Sequence, residues 1–162
     1  MEFTIRPVAF VHSTRHEVTD DYWGGERTTI ELAADLPEES LDGLEAFSHA
    51  EILFLFDKLD ANTIRAGARH PRENTAWPRV GIFAQRAKLR PNRIGATIVR
   101  IVKRDGRTLT VRNLDALDGT PVIDIKPVFR EFLPAEPVVQ PPWTHELMRD
   151  YWSPARPRNS AE

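Results

Sequence analysis

Short strand-like runs follow one another along this chain with no long helices between them. A doubly wound parallel sheet needs a crossover helix after each strand, so that architecture is disfavoured from the outset. Residues 5–11, with Ile5, Val8, Phe10 and Val11, read as a first strand. Residues 28–32, Thr-Thr-Ile-Glu-Leu, read as a second, β-branched and alternating. Residues 37–47 suit a short helix, with Pro37 in a permitted first-turn position. The run Ile52-Leu53-Phe54-Leu55-Phe56 predicts a strand buried on both faces. A short helix near 61–68 and an irregular loop lead to a further strand at 80–84. Runs at 96–102 and 108–111 form a strand pair across Arg104-Asp105-Gly106-Arg107, where Asp-Gly is a strong hairpin signal. Residues 122–125 are one more strand. A Pro-rich stretch at 134–142 precedes a closing amphipathic helix, with Trp143, Leu147 and Tyr151 four residues apart. The fold class expected is mainly β (α+β), with a few short helices and no Rossmann fold. No G-x-G-x-x-G follows the first strand.

The 162 residues suit one domain, here 1–133, with an extension over 134–162 that packs on the domain or on a partner subunit. There are no cysteines, which excludes disulfides and thiolate metal sites. No apolar run reaches the length of a membrane span, and the start of the chain lacks a signal-peptide layout, so a soluble cytoplasmic protein is expected. Net charge is only −2, yet the charge is unevenly spread. Residues 1–63 hold 14 Asp/Glu against 4 Lys/Arg, a balance of −10; residues 64–107 hold 12 Lys/Arg against 2 Asp/Glu, a balance of +10. The basic middle either faces phosphates or pairs with the acidic first third.

Four polar segments are candidates for chemistry. Residues 81–95 carry Arg86, Lys88, Arg90 and Arg93 around a stiff Pro91-Asn92 turn. Cations so crowded repel one another unless an anion is near, and the arginine fork suits carboxylate or phosphate. Residues 113–127 place Asp115, Asp118 and Asp124 around a Gly119-Thr120-Pro121 turn, with Asp124 and Lys126 on one strand face. Metal binding is not indicated there, since no His lies near and the spacing fits no standard loop. Ser48-His49 precedes the apolar run; adjacent residues of an extended chain point to opposite faces and no G-x-S-x-G elbow exists, so a serine hydrolase is rejected. His12-Ser13-Thr14-Arg15 is a polar turn after the first strand.

Together these segments resemble the TsaA-like (TrmO) family of S-adenosylmethionine-dependent methyltransferases. The resemblance runs from about Ile5 to Pro127, and loosely to Trp152. Its carriers are Gly-Leu-Glu-Ala-Phe-Ser-His (43–49), Gly-Ile-Phe-Ala-Gln-Arg (81–86), Arg-Pro-Asn-Arg-Ile-Gly (90–95) and Asp-Gly-Thr-Pro-Val-Ile-Asp-Ile-Lys-Pro (118–127). It implies a single-sheet β-barrel-like domain, a homodimer with the cofactor near the subunit interface, and methylation of N6 on threonylcarbamoyl-adenosine beside the tRNA anticodon. By position, the resemblance assigns Ser13, Thr14, Arg15, Ser48, His49, Arg86 and Asn113-Leu114-Asp115-Ala116 to the cofactor, and Arg90-Pro91-Asn92 to the active site. The sequence departs from the family at Thr14 and Arg15, at Gln85 and Ala87-Lys88, at Arg93 and at Val128. Methyl transfer to a weakly nucleophilic nitrogen calls for alignment and a base. His49, Asp115 and Asp118 are the base candidates, Arg90 is a candidate for the substrate carboxylate, and segment 64–107 is a candidate for steering the anticodon stem-loop. A small-molecule methyltransferase and a non-catalytic cofactor- or RNA-binding module are the alternatives.

Overall fold

A computed structural model describes residues 1–154 of the chain. Six antiparallel strands close a barrel: β1 (Ala9–His12), β2 (Arg27–Leu32), β3 (His49–Leu55), β6 (Ile94–Asp105), β7 (Thr108–Arg112) and β8 (Pro121–Pro127). Their order is β1-β2-β7-β6-β3-β8, with β8 returning to β1 through Ala9↔Val122 and Phe10↔Pro121. A separate two-stranded arm, β4 (Ala68–Arg69) and β5 (Val80–Gly81), projects from the β3–β6 connection. The expected mainly β, barrel-like fold is what the chain adopts.

Alternation builds the core. Ala9, Val11, Ile30, Ala50, Ile52, Phe54, Val99, Leu109, Val111 and Val122 are each at most 1% exposed and fill the barrel. The long strand β6 serves two partners: its first half pairs with β3 and its second with β7, and Arg100 pairs with both His49 and Arg112. The β6–β7 hairpin turns through Gly106-Arg107, and Gly106 has the positive φ (55°) that primed turns require.

Several local expectations are corrected. The first strand starts at Ala9, not residue 5. The helix expected over 37–47 is two 3-10 turns, Glu38–Leu41 and Leu44–Ala46, divided by Gly43 at φ 86°. The helix near 61–68 reduces to the turn Ala61–Thr63. Residues 80–84 hold a two-residue strand and then a 3-10 turn, Ile82–Ala84. The apolar run of β3 is not buried on both faces: Ala50, Ile52 and Phe54 point inward while Leu53 and Leu55 are half-buried outside. A small closed barrel has only one dry side, and hydrophobic content alone does not say how many sides are covered.

Helix α1 (Pro142–Leu147) leads into a strap that lies along the 22–24 loop. Asp150, Tyr151 and Ser153 accept backbone hydrogen bonds from Tyr22, Trp23 and Gly24 (3.1, 2.7 and 3.1 Å). Trp77 donates its indole N–H to Glu146 (2.8 Å) and packs beside Trp143. Residues 142–154 of the extension thus contact the 22–24 loop and Trp77, while its residues 155–162 lie outside those described. Among the described residues no helix is long and apolar enough to cross a membrane.

Candidate active site

Polar residues gather where three strand ladders run out. The β1–β8 ladder ends at Phe10↔Pro121; three places beyond, the Ser13 backbone N–H donates to Asp118 (3.0 Å). The β1–β2 ladder ends at His12↔Thr29; three places beyond, Arg15 Nε donates to Glu26 (2.6 Å). The β6–β7 ladder ends at Arg100↔Arg112; three places beyond, Thr97 donates its hydroxyl to Asp115. Side chains add to the contact at such ends; at the β1–β8 end backbone bonds also continue, from the Val11 N–H to the Thr120 carbonyl (3.0 Å) and from the Gly119 N–H to the Val11 carbonyl (2.7 Å).

The first two ends form one turn cluster. The Asp118 N–H donates to the Arg15 carbonyl (2.7 Å), and the Thr14 N–H and hydroxyl both donate to Glu26. The Arg15 guanidinium also donates to the Tyr22 carbonyl and lies over Trp23, 5.2 Å from the ring centre. The Ser13 N–H, with His16, His12 and Lys58 nearby, holds the Asp118 carboxyl below its ordinary range. Burial alone would raise Glu26, but the hydrogen bonds from Thr14 and Arg15 outweigh it and the carboxyl is lowered.

The third end forms a second cluster. Asp115 accepts from Thr97 on one oxygen and from the Tyr151 hydroxyl on the other. Burial first, then the Asp115 charge, pushes the Tyr151 phenol well above its ordinary range. Asn113 is left-handed (φ 63°), so the chain leaves the ladder there. Leu114 and Ala116 are each 3% exposed, yet Leu114, Asp115 and Ala116 make no backbone hydrogen bond among the described residues. Buried peptide groups are normally paired, so the backbone at 114–116 departs from the usual pattern.

The basic turn is mostly tied to backbone. Arg86 donates to the Ala96 carbonyl, next to Thr97; Arg90 donates to the Gln85 carbonyl (3.1 Å); Arg93 donates to Leu59 (3.3 Å). Asn92 and Arg93 are both left-handed (φ 63° and 53°). The Ser48 hydroxyl and His49 Nδ1 are 2.7 Å apart at the head of β3. Among the described residues, no hydrogen bond joins that pair to either cluster. Asp124 pairs with Lys126 on the outside of β8, a structural ion pair.

The sequence reading missed Glu26, Trp23, Thr97 and Tyr151. Glu26 was legible in principle: once residues 9–12 are paired with 29–32, the same register sets Glu26 opposite Arg15. Tyr151 carried no such signal, because its partner is reached through the strap. Among the described residues, no group of His, Asp and Glu could hold a metal ion.

Residues 19–132 match the family described as the tRNA-methyltransferase O N-terminal domain. The chain belongs to the TrmO family. A relative in Methanothermobacter thermautotrophicus, named a probable S-adenosyl-L-methionine-binding protein, is 38% identical over 134 residues, covering 81% of this chain and 93% of that one. The human tRNA (adenine(37)-N6)-methyltransferase is 38% identical over 118 residues, covering 73% of this chain and 26% of the human protein. A crystal structure of TrmO from Pseudomonas aeruginosa superposes with a TM-score of 0.70 at 30% identity, covering 88% of this chain and 62% of that one. The chain thus spans about a quarter of the human relative and nearly the whole of the archaeal one.

Proposed function

We propose that this chain is an S-adenosylmethionine-dependent methyltransferase acting on N6 of threonylcarbamoyl-adenosine beside the tRNA anticodon. The observation that carries the reading is that two of the family's polar segments, 13–15 and 113–118, meet at barrel-ladder ends, where the backbone of 114–116 is unpaired. Relatives of this family are named tRNA (adenine(37)-N6)-methyltransferases.

The residues fit the cofactor. The unpaired backbone at 114–116 suits the edge of an adenine, and the Asp115 and Asp118 carboxylates suit a cationic amino acid moiety. Arg15 and Arg86 suit its carboxylate. When bound, the cofactor supplies an activated methyl group. The protein's part is to orient the acceptor, exclude water and accept a proton. Asp115 already accepts two hydroxyl hydrogens, and Asp118 is held ionised by the Ser13 N–H and is a weak base. His49 is therefore assigned as the proton acceptor, with Ser48 fixing its Nδ1 side. Arg90 keeps further N–H donors beyond its bond to Gln85 and is assigned to the substrate carboxylate, with Asn92 setting the turn. A homodimer with its interface near the cofactor is part of this reading, since Ser48 and His49 make no hydrogen bond to either cluster among the described residues. The exposed Phe129, Phe132 and Leu133 support such a contact.

The test is incubation of the protein with labelled S-adenosylmethionine and tRNA from cells lacking this modification, followed by digestion to nucleosides. Label in methylated threonylcarbamoyl-adenosine supports the reading, and Arg90→Ala then lowers the rate. A second reading, cofactor binding without turnover, draws on the near full-length match to a protein named only for binding. Cofactor binding with no label in tRNA selects that reading.

A further inference from the structure

A cleft of about 420 Å³ opens beside the β4–β5 arm, lined by Arg65, Ala68, Arg69, His70, Glu73 and Arg79. Three guanidinium groups face one carboxylate there. Elsewhere in the basic segment the acidic first third supplies partners: Asp21 takes Arg72 (2.7 Å), Asp20 takes Lys88 (2.9 Å) and Asp42 takes Arg104 (2.9 Å). Of the cleft arginines, Arg69 lies near enough to Asp20 to help lower its carboxyl, but forms no ion pair with it. Among the described residues, Arg69 and Arg79 make no side-chain hydrogen bond or ion pair, and Arg65 reaches only its neighbour's carbonyl, Ile64, at 3.3 Å. The Nε of Arg69 is shut off from water with no partner at all. An unpaired buried donor is costly, and like charges held together repel, so the cleft is poorly settled by the protein itself.

The walls are nonetheless firmly built. Gln85, 7% exposed, donates its amide to the carbonyls of Arg69 (3.2 Å) and Val80 (3.0 Å), locking the two strands of the arm. The His70 ring contacts the Trp77 carbonyl at 2.7 Å. Arg72 and Glu73 hold left-handed backbone (φ 49° and 59°), which non-glycine residues adopt at a cost. Rigid walls, unsettled arginines and an open mouth fit an anion that arrives from outside.

Resting on the tRNA reading above, we propose that this cleft binds the ribose-phosphate backbone of the RNA. Arg65 and Arg79 at the exposed rim grip successive phosphates, Arg69 turns its fork onto one of them, and Glu73 accepts a ribose 2′-hydroxyl. None of its lining residues belongs to either polar cluster, so it sets where the RNA lies rather than holding the methyl donor.

The experiment compares wild type with Arg65→Glu/Arg79→Glu, two exposed positions, and with the milder Arg79→Gln. Unmodified tRNA is bound between about 50 and 200 mM salt, and S-adenosylmethionine affinity and Tm are measured alongside. The double variant is expected to lose at least roughly ten-fold in tRNA affinity and about two units of salt slope, with cofactor affinity and Tm unchanged. Arg79→Gln loses about one unit. Unchanged slopes in both variants overturn the inference alone. A wild type that binds no tRNA overturns the tRNA reading and this inference with it. Loss of inorganic phosphate binding with tRNA binding intact also overturns it, leaving a small-anion site.

Discussion

Replacing Gly24 by alanine should detach the strap. A Cβ on Gly24 would sit 1.8 Å from the Trp152 carbonyl oxygen and 2.6 Å from its carbon. Both are backbone atoms, so no side-chain rotation relieves the overlap. The strap or the loop must move, and three backbone hydrogen bonds, Tyr22 to Asp150, Trp23 to Tyr151 and Gly24 to Ser153, are lost together. At about 1 kcal/mol net each, the docking weakens by about 3 kcal/mol. That is roughly a hundred-fold in the open population. Hydrogen exchange should show the Trp23 and Gly24 amides losing about two orders of magnitude of protection. The second readout is the tyrosine itself. In the wild type, burial and Asp115 keep the Tyr151 phenol protonated well past its ordinary range. Once the strap is free, an ultraviolet titration gains one phenol equivalent near pH ~10. Wild-type amide protection in Gly24→Ala, with no extra phenol, would refute the claim that close backbone approach holds the strap.

Two other predictions follow from the same geometry. In Gly95→Ala the new methyl meets Phe54 at 2.6 Å and Phe56 at 3.0 Å, inside the barrel, so thermal unfolding should reveal a loss of about 1–3 kcal/mol. Glu26 has a folded pKa below its unfolded one, so its stabilisation is complete above about pH 4.5 and fades as pH falls through the folded value. Amide shifts of Thr14 and Arg15 should move in that acidic window, and Glu26→Gln should abolish the movement.

Legibility in the sequence depended on how local each cause was. The Asp105-Gly106 hairpin could be read directly, because a turn is decided by its own residues. The split at Gly43 was equally local but was overlooked in favour of the acidic, helix-like surroundings. The segments bearing Ser13, Asp115 and Asp118 stood out as polar turns. Their partners did not, because Asp118 meets Ser13 only after the barrel closes and Asp115 meets Tyr151 only after the strap docks. The charge split was visible as a sum, whereas which arginines remain unpaired required the fold. Asp20, Asp21 and Asp42 pair with Lys88, Arg72 and Arg104 and leave Arg65, Arg69 and Arg79 without an ion pair among the described residues.

The β1–β8 seam has a further consequence. It joins strands from opposite ends of the barrel segment, the kind of non-local pairing that forms late because a long loop must first be closed. Ser13 and Arg15 meet Asp118 on the continuation of that same seam. Any ligand that spans those turns acts as a clasp on the whole barrel, and its binding energy adds to global stability as its concentration rises above Kd. Occupancy of the site is then readable as a rise in melting temperature, with no need to know the reaction.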